Sequence, residues 1–372
     1  MDEQLKVGIV GAGGFATFAA QSFLKVEGIQ IVGVTDVHPA ASATFAELIG
    51  CETFADLEQL LATEADLIYI ATPPSLHAIQ SRKALEAGKH VICEKPAALH
   101  AAEAEELAAF ANKHQLLYVV NLMQRYNPLY SLVKEIIDQK WFGDFVHGFF
   151  ENYASDEKLV RDHWFWDEAH SGGIFIEHGV HFFDMFSGWL GVGKLLHSMQ
   201  IAREGNEGKV VDRVQAVVMY DKGPVNFYHG FNQPKVLDRQ EMRLQFDRGD
   251  ITLYEWVPVK IRIHGLFTRQ LVEQMDQLFP DSEIEWFDEI KGDSYQVVGK
   301  FKPIKYDCRL TWTSGDIEEK MDRYEELVIS MIKDQWAWIK DSTHVRKIDD
   351  RNAVESLRIA EEATLRSERY TR

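Results

Sequence analysis

The stretch from Leu5 to Asp36 constrains this chain more than any other. Leu5, Val7, Ile9 and Val10 make an apolar run of strand length that ends in Gly11-Ala12-Gly13-Gly14-Phe15-Ala16, a G-x-G-x-x-A pattern. Phe15, Phe18, Ala19, Ser22 and Phe23 then recur at helical spacing, Ile29 to Val34 reads as a second buried strand, and Asp36 stands at its end. Strand, glycine turn, helix, strand and acid in this order form a dinucleotide-binding unit. Gly11 permits the tight turn, Gly13 and Gly14 let a pyrophosphate approach the backbone, and Ala16 lets the helix pack close to the strand. The helix N-terminus, from Phe15 on, offers free N–H groups to phosphate, and Asp36 can bond a ribose 2′-hydroxyl. No Lys or Arg occurs from Thr35 until Arg82, so a 2′-phosphate would meet Asp36 without a cation from this segment, and NAD is expected over NADP.

The alternation of strands and helices continues to about Asn121, with strands at Asp66–Thr72, His90–Pro96 and Leu116–Val120 and helices at Ser75–Ala87 and Ala101–His114. It implies a doubly wound parallel sheet over residues 1–122. Ligands bind outside the carboxyl ends of such strands. Here those ends carry Thr72 and Pro73, with His77 nearby, and Glu94-Lys95-Pro96. These residues are therefore assigned to the cofactor, and Lys95 is aimed where a nicotinamide would lie.

After a helix at Pro128–Trp141 the character changes. Phe145–Tyr153, Val210–Tyr220, Val225–Phe231 and Glu241–Phe246 read as strands joined by polar turns, with a hairpin at 246–251. Residues 123–372 are thus expected to form an α+β domain with a large, mostly antiparallel open sheet. Within the poorly patterned stretch 265–315, a helix is expected at Phe267–Leu278 and a strand at Ser294–Phe301. Helices at Glu318–Lys340 and Arg351–Arg369 close the chain, the last able to pack back on the first domain.

A second chemical constellation is Gly172-Gly173-Ile174-Phe175-Ile176-Glu177-His178-Gly179-Val180-His181-Phe182-Phe183-Asp184. On a helix, Glu177 and His181 share a face and Asp184 lies a turn beyond. An imidazole flanked by carboxylates suits a general base. A metal reading of His178 and His181 with His163 and His170 lacks tight ligand spacing, so no metal is assigned; a purely packing role for the histidines is the other alternative. The segment 161–168, Arg161-Asp162-His163-Trp164-Phe165-Trp166-Asp167-Glu168, mixes aromatic and polar groups, which suits either a sugar or a domain core. Trp164, with Arg125, Tyr153 and His178, is assigned to substrate binding.

The formal net charge of −18 argues against nucleic acid or an anionic membrane surface. Cys51, Cys93 and Cys308 are odd in number and far apart, and no secretory or membrane-spanning pattern stands out, so a reducing cytoplasm is expected.

At the glycine turn, Ala71-Thr72-Pro73-Pro74-Ser75-Leu76-His77, Glu86-Ala87-Gly88-Lys89-His90-Val91, Cys93-Glu94-Lys95-Pro96, Arg125-Tyr126-Asn127-Pro128 and Gly172–Asp184, the chain resembles the glucose–fructose oxidoreductase / inositol dehydrogenase / MocA (Gfo/Idh/MocA) family. The resemblance implies an NAD(P)-dependent oxidoreductase with a carbohydrate-like substrate, catalytic Lys95 and His181, and a homodimer or homotetramer formed through the C-terminal sheet. It also admits a glycoside-cleaving cycle of oxidation, elimination and re-reduction on retained NAD; a non-catalytic NAD- or sugar-binding protein is a further alternative. Glu177 stands where the family usually has aspartate, and His178 where a small or apolar residue is usual. Glu177 is expected to orient His181 and tune its basicity.

Overall fold

The computed structural model describes residues 4–205, 208–289, 294–299 and 302–372. The first part runs β1 (Leu5–Val10), α1 (Gly14–Leu24), β2 (Ile29–Thr35), α2 (Pro39–Ile49), β3 (Glu52–Thr53), α3 (Leu57–Leu61), β4 (Leu67–Ile70), α4 (Pro74–Glu86), β5 (His90–Cys93), α5 (Ala101–His114) and β6 (Tyr118–Val120). These strands pair in parallel in the order β3-β2-β1-β4-β5-β6. Strands β4 and β6 are buried at every position, as a sheet covered on both faces requires. The order reverses between β1 and β4, and the crevice outside their carboxyl ends is where such sheets bind ligands.

The second part contains α6 (Pro128–Asp138), β7 (Phe145–Ser155), α7 (Glu168–Ser171), α8 (Val180–Leu190), β8 (Gly193–Gly205), β9 (Gly208–Tyr220), β10 (Gly223–Gln233), β11 (Arg239–Phe246), β12 (Gly249–Tyr254) and β13 (Lys260–Phe267). It continues through α9 (Arg269–Leu278), β14 (Glu283–Glu289), β15 (Tyr295–Gly299), β16 (Lys302–Tyr306), β17 (Cys308–Gly315), α10 (Lys320–Lys340), α11 (Asp350–Leu365) and β18 (Glu368–Thr371). Ten strands form one open sheet, β14-β17-β13-β12-β11-β7-β10-β9-β8-β18, antiparallel except at β7/β10 and β8/β18. The α/β plus α+β organisation expected from the sequence is therefore present.

Period-two alternation sets the two faces of this sheet. Phe150, Met242, Phe227 and Ala216 are wholly buried, and α8 lays Phe182, Phe183, Phe186 and Trp189 against that face. Phe150 and Phe182 stack with ring centroids 3.6 Å apart, and Phe183 and Phe186 meet Phe227 edge-on. Each such ring contributes about 1.5–3 kcal/mol through burial, which makes this the anchor of the second core. Helix α10 packs on α1, and α11 packs on α5 and α8, so the C-terminal helices bridge both sheets.

Several boundaries differ from the sequence expectation: α6 stops at Asp138 rather than Trp141, α9 begins at Arg269 because Phe267 ends β13, and β4 and β5 are shorter than Asp66–Thr72 and His90–Pro96. Helix α11 stops at Leu365 and the chain re-enters as β18, covering the outer edge of β8; the expected helix to Arg369 ignores that a long edge strand needs a partner. A 3₁₀ turn at Ile317–Glu319 precedes α10. The strand expected at 294–301 is β15, Tyr295–Gly299, with residues 300 and 301 outside the described set. Among the described residues, no helix is long and apolar enough to cross a membrane.

Candidate active site

The glycine turn leaves β1 through Gly11, whose φ of +95° is left-handed and whose position would put a Cβ 2.6 Å from the Ala71 carbonyl oxygen. Only glycine fits there. At Gly13 and Gly14 an added Cβ would meet nothing within 4 Å, so the turn faces an open groove of about 760 Å³. Asp36 closes the far side: its Oδ2 accepts from Ala12 N at 2.8 Å and its Oδ1 from His38 N at 2.8 Å. The acid is thereby locked against the turn with lone pairs left over for a ribose hydroxyl. Helix α1 has no side-chain cap and no acidic residue in its first turn, so its N–H groups face the groove uncompensated. Open groove, free N–H groups and a fixed carboxylate fit the pyrophosphate and ribose of a dinucleotide.

The groove continues into a second cavity of about 620 Å³ at the junction of the two sheets; Phe15, Ala71, Thr72 and Trp164 line both. Here Lys95, Glu177 and His181 meet. Lys95 Nζ donates to Glu177 Oε1 at 2.5 Å and to the Glu177 carbonyl at 2.8 Å. The ammonium is thus held at the wall by one residue of the second domain. Glu177 and His178 lie in a π-turn, Phe175–Gly179, that runs directly into α8. The Glu177 carboxylate goes to Lys95, and no hydrogen bond links Glu177 to His181. The expectation that Glu177 orients His181 directly is therefore not met. His181 is 7% exposed and its Nδ1 has no partner; burial first, and Lys95 second, depress its pKa to about 3. The ring is therefore neutral at pH 7.

Beside them Glu94 is half-buried, and its Oε1 accepts from Tyr69 Oη and from Asn121 Nδ2 at 2.8 Å. Burial pushes its carboxyl pKa up, against the pull of Tyr69, Asn121 and Lys95.

Three residues assigned from sequence stand outside both cavities. His77 is fully buried, with Nδ1 2.6 Å from the Pro96 carbonyl and Nε2 2.6 Å from the Thr72 carbonyl, so it braces two strand ends rather than lining the groove. Arg125 forms a bidentate ion pair with Asp184, Nε to Oδ2 at 2.9 Å and Nη2 to Oδ1 at 2.7 Å. Burial works against the Arg125 charge, but Asp184 outweighs it and raises its pKa. Gly188 makes room for this pair, since a Cβ there would stand 2.7 Å from Arg125 Nη1. Asp184 thus serves Arg125, not His181. Tyr153 lies on the opposite sheet face, packed on Tyr228 and under Arg239, because its neighbour Asn152 takes the inward position.

Trp164 and His178 do line the cavity. Trp166 does not: its Nε1 donates to the Leu159 carbonyl at 3.0 Å. Sequence reasoning missed Asn152, Gln240, Trp256 and Tyr324 in the cavity wall. Asn152 and Gln240 are cross-strand partners on β7 and β11, and a polar residue at an inward strand position was the available signal. Trp256 and Tyr324 meet edge-on at 4.9 Å, joining distant segments, and nothing local marks them. Among the described residues, no group of three or more His, Cys, Asp or Glu side chains could hold a metal.

Fold and site together define a two-domain protein with a Rossmann-type nucleotide groove opening into an interdomain cavity. Residues 5–122 match the model described as "Oxidoreductase family, NAD-binding Rossmann fold" of Gfo/Idh/MocA, and residues 130–252 match the GFO/IDH/MocA C-terminal domain. The chain belongs to the Gfo/Idh/MocA family. It is similar to the scyllo-inositol 2-dehydrogenase (NAD(+)) of Bacillus subtilis (strain 168), 25% identical over 234 residues, covering 60% of this chain and 66% of that protein. It is also similar to the glucose-6-phosphate 3-dehydrogenase of the same organism, 28% identical over 184 residues, covering 48% and 52%. The chain spans about half the length of the curated relatives it matches. In fold it is similar to KijD10, a 3-ketoreductase from Actinomadura kijaniata solved with NADP and TDP-benzene, with a TM-score of 0.75, 15% identity and 99% of each chain covered.

Proposed function

We propose that the protein is an NAD-dependent dehydrogenase acting on a hydroxyl-bearing carbon of a sugar, cyclitol or sugar derivative. The observation that carries this reading is the meeting of Lys95, Glu177 and His181 where the nucleotide groove opens into the cavity. The dinucleotide, held by the glycine turn and Asp36, supplies a hydride acceptor at its nicotinamide. Neutral His181 takes the hydroxyl proton, and Lys95 binds the same oxygen and stabilises the negative charge that develops on it. Glu177 keeps the ammonium in place and balances its charge. Trp164 and the Trp256–Tyr324 pair offer apolar faces to sugar C–H groups, and Asn152, Gln240 and His178 offer polar ones.

NAD is the preferred form, since Asp36 stands beside the glycine turn, where the ribose of a bound dinucleotide would lie, with no cation from its own segment. The protein works in the cytoplasm as a homodimer or homotetramer; the outer face of the ten-stranded sheet, with Arg243 over Phe149 and Arg239 over Tyr153, suits such an interface.

The test is to mix the protein with NAD and a panel of sugars and cyclitols and follow reduced cofactor. Accumulation of NADH with at least one polyol is expected. NAD binding without turnover of any compound would overturn the dehydrogenase reading, and glycoside cleavage without net NADH would replace it by the oxidation–elimination–re-reduction cycle.

A further inference from the structure

Two imidazoles beside the catalytic group take no part in the proton and hydride transfer just described. His178 lines the cavity, and its Nε2 is buried without a hydrogen-bond partner. His229, on β10, is wholly buried, and neither of its ring nitrogens has one. The rings stand perpendicular with centroids 5.3 Å apart. The other rings around His229 are aromatic hydrocarbons: Phe150 at 5.1 Å, Phe182 at 5.8 Å and Phe175 at 6.3 Å. An orphaned buried nitrogen is costly, and a phenylalanine at 229 would avoid that cost entirely. A centroid separation of 5.3 Å leaves about 3 Å between ring nitrogens that point at one another, the length of an N–H···N bond, and such a pair satisfies one nitrogen of each.

We propose that His178 and His229 form an N–H···N pair in which His229 fixes the tautomer of His178, so that His178 presents a bare Nδ1 to the cavity and selects a substrate with a hydroxyl donor close to the reacting carbon. The direction follows from the surroundings. Burial pushes His178 well below its ordinary pKa, helped by His229, Lys95 and His181, and holds His229 at about 3, so each ring carries one proton. The other nitrogen of His229 is buried without a partner in a ring environment made of Phe150, Phe175 and Phe182, whose faces are electron-rich. An N–H is favoured there over a lone pair. The near nitrogen is then the acceptor, the His178 Nε2 carries the donated proton, and His178 Nδ1 is left as an acceptor. A hydroxyl satisfies it; a deoxy, oxo or carboxylate group at that position does not. His229 touches no substrate and is a positioning residue. This inference rests on reading the cavity as a polyol site, but its first test does not.

That test is the ¹⁵N spectrum of the histidines in the full-length protein with NAD. His178 in the native protein is expected to carry its proton on Nε2, and His229→Phe to shift it toward Nδ1. A proton on Nδ1 in the native protein, or a tautomer unchanged in His229→Phe, overturns the proposal whatever the enzyme turns over. The second test is kinetic: His229→Phe should raise KM for the best polyol about tenfold with a smaller change in kcat and unchanged NAD affinity, and His229→Gln, which keeps an acceptor, should restore much of it. Unchanged KM in His229→Phe would also overturn it. If the phenylalanine variant does not fold, the native spectrum and the glutamine variant still decide. Absence of any turnover in the native protein refutes the dehydrogenase reading separately.

Discussion

Replacing Arg125 by methionine isolates what the buried ion pair behind the site contributes. Asp184 is 1% exposed and receives two guanidinium N–H bonds at 2.7 and 2.9 Å, with Asn352 Nδ2 a longer third donor at 3.3 Å. Methionine fills the space of the arginine stem but brings no charge, which leaves the Asp184 carboxylate with Asn352 alone. Breaking one side of such a pair costs about 3–5 kcal/mol. The carboxyl can escape part of that cost by taking up a proton. At pH 7 the escape costs about 4 kcal/mol, roughly 1.4 kcal/mol for each of the three or so pH units above its unfolded pKa near 3.9. At pH 5 it costs only about 1.5 kcal/mol. In the variant the folded-state pKa of Asp184 stands above the unfolded one. The penalty is therefore full at neutral pH and is relieved as pH falls toward about 4. Urea unfolding of both proteins at pH 7 and pH 5 reads this directly. The expected loss is about 3–4 kcal/mol at pH 7 and about 1.5 kcal/mol or less at pH 5, with KM unchanged wherever the variant is folded. A loss under about 1 kcal/mol at pH 7, or an equal loss at both pH values, would refute the reasoning, and a raised KM in the folded variant would return Arg125 to the substrate.

Lys95→Ala and His181→Ala should each lower kcat by about a hundredfold or more while NADH affinity by calorimetry changes little; near-normal kcat removes that residue from the mechanism. Lys95→Met should raise the His181 pKa above its value of about 3, yet leave it below the ordinary imidazole range because burial is the larger cause, and a histidine NMR titration checks both limits. Glu177→Gln should lower kcat about tenfold through loss of Lys95 positioning, and in a Lys95→Ala background it should add nothing; additive losses would show that Glu177 acts on its own. NADPH should bind more weakly than NADH, and equal or tighter binding would mean that a cation reaches Asp36 from elsewhere.

The parts of the fold legible in the sequence are those whose physics is local. A buried parallel strand is an unbroken apolar run, so β1, β2 and β4 announce themselves, and the glycine turn is marked because only glycine tolerates the φ and the approach to Ala71 seen at Gly11. Strand β8 is the counterexample. It is as long as any strand in the sheet, but bulges at Leu195/His197 and Ile201/Ala202 interrupt its alternation and hide it from a period-two search. Strand β18 is hidden for a different reason: four exposed residues have no apolar signal, and only the edge of β8 makes them a strand.

The same distinction governs the site. Motif and strand-end position single out Lys95 and His181, and the structure brings both to the cavity wall, whereas Glu177 was legible in identity but not in direction. Helical spacing of four suggests that its carboxylate approaches His181, and it would do so on a regular helix. The π-turn at Phe175–Gly179 breaks that regularity, and the carboxylate crosses instead to Lys95 at 2.5 Å. The consequence is electrostatic as well as geometric. Lys95 is one of the two causes that hold His181 neutral, so a residue that steadies Lys95 influences His181 without a hydrogen bond to it. What the sequence offers as a direct acid–base dyad is in the folded protein a chain, Glu177 to Lys95 to His181, whose middle member belongs to the nucleotide-binding domain and whose ends belong to the other.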